Sequence, residues 1–148
     1  MRGTMLVMVL FVGLVTVWTP AQEPVAETEQ TESARTAVPL VIPAKDKARR
    51  NPLQPTDENL ERGIQLYSSQ CAMCHGVKGA GDGGLAGTLK IAMPDLQDPA
   101  RQKLRTDGEL FYILTQGHGR MPAEGERLPE EYRWSMILAI RSMARNDR

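Results

Sequence analysis

The sequence predicts a small all-α domain over residues 56–148, built from three main helices. Three observations carry this prediction. Apolar residues recur at helical spacing in three stretches, each opened by capping or acid-rich residues. No stretch alternates apolar and polar residues as a half-buried strand would. The run Cys71-Ala72-Met73-Cys74-His75 places two thiols and an imidazole where the first helix gives way to a glycine-rich loop. A domain of this size has little core of its own, so a bulky apolar group bound at that run would help complete it.

The chain opens with Arg2 and an uncharged apolar run from Met5 to Trp18, followed by the small residues of Thr19-Pro20-Ala21. The run is shorter than the roughly 20 residues of a spanning helix, so residues 1–21 read as a signal peptide, with an uncleaved N-terminal anchor as the alternative. Both place the domain outside the cytoplasm, in the periplasm or on the outer face of the cytoplasmic membrane. Residues 22–55 read as a Pro/Glu-rich linker. Glu23, Glu27, Glu29 and Glu32 precede the apolar run Val38 to Pro43 and the basic cluster Lys45, Lys47, Arg49 and Arg50, with prolines throughout and no sustained periodicity. A solvated tether and a docking strap against a partner both fit that pattern.

The first helix begins at Thr56 as N-cap, has Asp57 and Glu58 in its first turn and reaches about Gln70, with Leu60, Ile64 and Tyr67 on one face. Gly63 in its middle costs about 1 kcal/mol against alanine, and reads as a point of close approach by another helix, with a neutral blemish as the alternative. The C-x-x-C-H run that follows reads as a c-type haem attachment site. Cysteines three apart lie on one side of a helical turn, within reach of one porphyrin edge, and the next residue carries its imidazole beneath the iron. Zinc would want further ligands, and the chain has no third cysteine and only His118 besides His75. A thioredoxin-like pair would need a βαβ setting, which is missing. The cofactor expected is therefore one covalent haem c, held through Cys71 and Cys74 with His75 on the iron.

Gly76, Gly79, Gly81, Gly83, Gly84 and Gly87 then predict a wrapping loop. The second helix opens on the capping box Thr106-Asp107-Gly108-Glu109, carries Leu110, Phe111, Ile113 and Leu114, and closes at Gly117. The third has Pro129, Glu130 and Glu131 in its first turn, then Trp134, Ile137, Leu138, Ile140 and Met143. Five of the seven aromatic residues fall in this domain.

The sixth iron position has several candidates. Met136 and Met143, among apolar neighbours on the third helix, read as core. Met93 and Met121 each precede a proline in a loop. Met121 is favoured, because the chain after the second helix has room to come round to the far face; Met93, His118 and an open position remain. A thioether ligand favours ferrous iron, raises the potential and leaves outer-sphere electron transfer as the chemistry.

Taken together, Leu66-Tyr67, Cys71-x-x-Cys74-His75-Gly76, Gly79-x-Gly81-Asp82-Gly83, Pro94-Asp95-Leu96, Asp107-Gly108-Glu109-Leu110, Gly117-x-x-x-Met121-Pro122 and Trp134 to Arg141 resemble a monohaem class I cytochrome c across residues 56–148. The resemblance implies a cytochrome c fold wrapped around the haem. It implies that Pro94 offers its carbonyl to the second nitrogen of His75, and that Gly63 and Tyr67 cross the third helix near Trp134 and Ile137. Ala139, where many relatives carry an aromatic, and Met93, where a proline or small residue is commoner, depart from the pattern. Asn51-Pro52 behind an anchored or exported N-terminus is also similar to cytochrome subunits of membrane respiratory complexes.

The chain balances 18 basic against 18 acidic residues, with nothing that points to nucleic acid. Lys78, Lys90, Lys103 and Arg120 fall in loops that could steer an acidic partner, although scattered solvated lysines look the same. The reading is an exported electron carrier, with a membrane tether through the N-terminus as a variant. It passes one electron at a time between an oxidase and a reductase or dehydrogenase, without acid, base or nucleophile and so without enzyme activity. The alternatives are a haem enzyme or gas sensor with a labile sixth ligand, and a fixed haem subunit within a membrane respiratory complex.

Overall fold

Two helices from opposite ends of the domain cross so closely that the position of contact admits only hydrogen on one side. A Cβ on Gly63 would lie 2.1 Å from the Ser135 carbonyl oxygen and 3.1 Å from the Ala139 Cβ. The computed structural model, which describes residues 39–144, builds the rest of the domain around this crossing. Its elements are α1 (Ala44–Lys47), α2 (Asp57–Gln70), α3 (Ala72–His75), α4 (Gly84–Thr88), α5 (Pro99–Lys103), α6 (Asp107–Gln116) and α7 (Glu130–Ser142). The fold is all-α; among the described residues there is no strand, and His118 and Met121 form an isolated bridge. Residues 1–21, and the linker up to residue 38, lie outside the described residues.

Helix α2 starts at Thr56, whose hydroxyl accepts the Asn59 amide at 3.3 Å. Its buried residues are Gly63 and Tyr67, one helical step apart. Ile64, expected on the inner face with Leu60 and Tyr67, is 49% exposed. The close crossing explains the difference: α2 is rotated so that its smallest residue, not its branched one, meets α7. Helix α7 buries Trp134, Ser135, Met136, Ile137 and Ala139. The alanine that departs from the family pattern is thus the α7 side chain opposite Gly63. Helix α6 has the complete capping box, with the Glu109 amide on the Thr106 hydroxyl (3.1 Å) and the Thr106 amide on the Glu109 carboxylate (2.9 Å). Phe111 and Leu114 of α6 join Trp134, Met136 and Ile137 in the core, and the Phe111 and Trp134 rings stack at 3.9 Å and 17°.

The linker expected to run unpacked to residue 55 does not do so over its last part. Ile42 is 5% exposed, and residues 44–47 form α1 against α6. A Cβ on Gly108 would lie 2.0 Å from the Asp46 carbonyl, and the Thr106 hydroxyl donates to the Lys47 carbonyl at 2.8 Å. The Asn51 amide donates to the Trp134 carbonyl at 3.0 Å. Arg49 bonds Glu130 and lies over the Phe111 ring, 4.4 Å from its centroid. The segment is a strap held by carbonyls and one guanidinium, with little of the apolar periodicity that sequence reading detects. A cavity of about 360 Å³ between this strap and α6 is lined by Pro43, Arg49, Phe111 and Tyr112 among others, and none of its lining comes from Cys71–His75.

The glycine-rich stretch also divides. Gly76, Gly79 and Gly81 have φ near +80°, the left-handed region that glycine enters without strain. The remainder is not loop: Gly84–Thr88 form α4, which packs on α3.

Candidate functional site

Cys71 ends one helix and begins another. Its amide donates to the Tyr67 carbonyl at 2.8 Å, and its own carbonyl accepts the amides of Cys74 (3.1 Å) and His75 (2.9 Å). The resulting turn, α3, brings both thiols and the imidazole together, and Gly76 at φ 81° terminates it. Both cysteines are free and half-buried. Gly83 lies against this turn, and a Cβ on it would sit 2.4 Å from the Cys74 carbonyl. Gly76 is fixed from below by the Tyr67 hydroxyl, which donates to its carbonyl at 2.8 Å. Burial, then the charges of Cys71 and Asp82, push the Tyr67 phenol upward, so it stays a donor.

Burial pushes the His75 imidazole below its ordinary value, favouring the neutral form that metals bind. Its Nδ1 is buried without a hydrogen-bond partner. The expected bond from His75 to the Pro94 carbonyl therefore does not form. The Gly81 amide donates to the His75 carbonyl at 2.8 Å, and its Cβ position lies 3.3 Å from the Pro94 carbonyl oxygen. Pro94 and Met93 both face the Gly81 backbone, on the loop that closes behind His75.

The methionines separate by location. Met136 is fully buried, and the Met143 sulfur packs 2.9 Å from the Gly79 Cβ position, so both belong to the core. Met121 is half-buried against the same core cluster as Cys71, Leu66 and Leu110. Reciprocal bonds with His118, 2.9 and 3.1 Å, lock its turn between Gly117 and Gly119 at positive φ. Cys71, Cys74 and His75 thus share one turn, Met121 packs on the same core cluster as Cys71, and Met93 lies on the loop beside Gly81. Two thiols, a neutral imidazole and a thioether are the donor set a c-type haem uses, and a buried imidazole nitrogen awaiting a partner fits the same group.

Two residues at this site gave no signal in the sequence. Glu124, one of two acids in a short polar loop, is only 3% exposed. Its Oε1 bonds the Arg127 guanidinium at 2.9 Å, Arg127 also bonds Gln70 Oε1 at 3.0 Å, and Glu124 Oε2 is buried without a partner. Burial, the Glu124 charge and Cys74 together push the Cys71 thiol up to about 12.

A small all-α domain that presents C-x-x-C-H on a helical turn, with a methionine loop beside it, is a c-type cytochrome domain. The chain belongs to the family described as cytochrome c oxidase, cbb3-type, subunit III, whose model matches residues 58–138. It is accordingly a monohaem cytochrome c, carrying one covalent c-type haem and working by haem-based electron transfer. Among solved structures it is similar to a Kuenenia stuttgartiensis reducing HAO-like protein complex, with 25% identity and a TM-score of 0.56. That match covers 64% of this chain and 47% of the other, so the chain spans about half the length of its structural neighbour. No curated protein matches the chain.

Proposed function

We propose that the protein is an exported one-electron carrier whose haem is bound through Cys71 and Cys74, with His75 and Met121 as axial ligands. The observation that carries this reading is the packing of Met121 and Cys71 against the same core cluster. Met93 instead sits with Pro94 against the Gly81 backbone, behind His75. The turn geometry supports the attachment chemistry: thiols and imidazole leave one turn of helix together. A neutral His75 supplies a lone pair to iron. Pro94 stays in the reading as a supporting residue whose carbonyl lies beside Gly81, the residue bonded to the His75 carbonyl. Met121, held by its bridge to His118, would offer its thioether to the iron, which would keep water and oxygen off the metal and raise the potential. With both ligands retained in each oxidation state, little reorganisation accompanies electron transfer. The partners are respiratory redox proteins, an oxidase on one side and a reductase or dehydrogenase on the other, met in the periplasm or at the outer membrane face, where residues 1–21 deliver or tether the domain.

Met121→Ala tests the ligation. The reduced variant should bind carbon monoxide rapidly and stoichiometrically at neutral pH and show a lowered potential, while Met93→Ala should do neither. The reverse pattern would assign the sixth position to Met93, and rapid carbon monoxide binding by the unaltered protein would make it a haem enzyme or gas sensor. A second reading, a fixed subunit within a membrane complex, is favoured by the family's description as an oxidase subunit. Extraction of native membranes separates the two, because a fixed subunit leaves only with detergent and in company of constant stoichiometry.

A further inference from the structure

Glu124 has an oxygen that the fold buries and leaves without a hydrogen bond. Such an arrangement is costly, and the backbone holds it in place. The Glu124 amide donates to the Leu114 carbonyl at 3.0 Å, and its carbonyl accepts from Leu128 (3.0 Å) and Arg127 (3.2 Å). The neighbouring Gly125 amide donates to Thr115, and a Cβ there would lie 2.8 Å from that carbonyl, so the turn has no slack. A purely structural ion pair with Arg127 needs only Oε1. Oε2 has no such work.

The direction in which this carboxylate acts is set by what lies around it. From Arg127 a second bond reaches Gln70, the residue immediately before Cys71. The Glu124 charge is felt at Cys71 itself, where it ranks next after burial in raising the thiol. Beside Glu124 are Arg127 from its own turn and Cys71, and its amide bonds the Leu114 carbonyl of α6. Arg127 is 56% exposed and its charge is diluted by water, whereas the Glu124 carboxylate is 4% exposed. Negative charge therefore dominates at the buried end.

We infer that Glu124 tunes the haem: its buried carboxylate, beside the first attachment cysteine, stabilises oxidised over reduced iron. The inference rests on Cys71 carrying the haem. The sign follows: a buried negative charge favours the ferric state over the ferrous, so it lowers the potential.

Potentiometric titration of the full haem-loaded chain at neutral pH is the test. Glu124→Gln, which keeps the shape and a hydrogen bond to Arg127, should favour reduction by about tenfold, or ~59 mV for one electron. Arg127→Met should move the potential the other way, because the carboxylate loses its counter-charge. Glu126→Gln, on an exposed neighbour, should leave the potential unchanged. An unaltered potential in Glu124→Gln, or in Arg127→Met should the first variant not fold, overturns the inference. The mass of the tryptic peptide holding Cys71 reports separately whether haem is attached there, so failure of that reading is distinguishable.

Discussion

At Gly63 two effects of a single methyl oppose each other. Alanine in a helix interior is favoured over glycine by about 1 kcal/mol. A Cβ 2.1 Å from the Ser135 carbonyl cannot be accommodated without parting α2 from α7, since the obstacle is backbone. Overpacking of this kind costs roughly 1–3 kcal/mol or more, so the packing effect wins. Gly63→Ala should lower the denaturation midpoint, by roughly 4–8 °C for each kcal/mol lost in a domain of this size; a rise in the midpoint would mean that the helices separate easily. The glycine was legible in the sequence because it interrupts an otherwise apolar helical pattern. Cys71, Cys74 and His75 stood out because covalent chemistry imposes their spacing, and the proposed ligand Met121 because a proline and two glycines bracket it. Glu124 did not. An acid in Pro122-Ala123-Glu124-Gly125-Glu126 looks like any solvated loop acid, and its burial comes from α6 and α2 arriving from elsewhere in the chain.

Among the elements, the three main helices announced themselves through their ends. Thr56 and the Thr106-to-Glu109 box are local signals, satisfied by neighbours within four residues. The strap from Ile42 to Leu53 has no such grammar, because its partners are Gly108, Trp134 and Glu130, distant in sequence. It nevertheless has weight. Burying Ile42 is worth about 1.5–3 kcal/mol, and Arg49 over two aromatic rings adds about 1. A haem-loaded chain starting at residue 56 should therefore unfold at clearly lower denaturant than one starting at residue 39, and equal midpoints would return the strap to the status of a tether. The α6 capping box gives a pH prediction. Glu109 lies below its ordinary value chiefly because its carboxylate accepts the Thr106 amide, with Arg105 and Lys47 adding to this against its own burial. A depressed folded value means that its stabilisation is complete above the unfolded carboxylate pKa, about 4.3, and is lost as pH falls through the folded value. Glu109→Gln should be less stable than the parent at neutral pH and lose less stability on acidification.

For the whole molecule, an all-α domain with one covalent haem and equal numbers of acidic and basic residues is suited to brief encounters, in which neither partner is held long by charge. Partner choice then depends on local patches around the haem edge more than on net charge, which is why the overall composition named no partner. The crossing of α2 with α7 has a consequence in time. The first helix of the domain finds its closest neighbour only in the last, so while the chain is being made, Gly63 has nothing to lie against. Until residue 139 has emerged, the segment from Cys71 to His75 travels on an unclosed chain, open to whatever machinery joins haem to thiols. Maturation is thereby ordered by the topology itself: attachment has its opportunity first, and the final helix shuts the door.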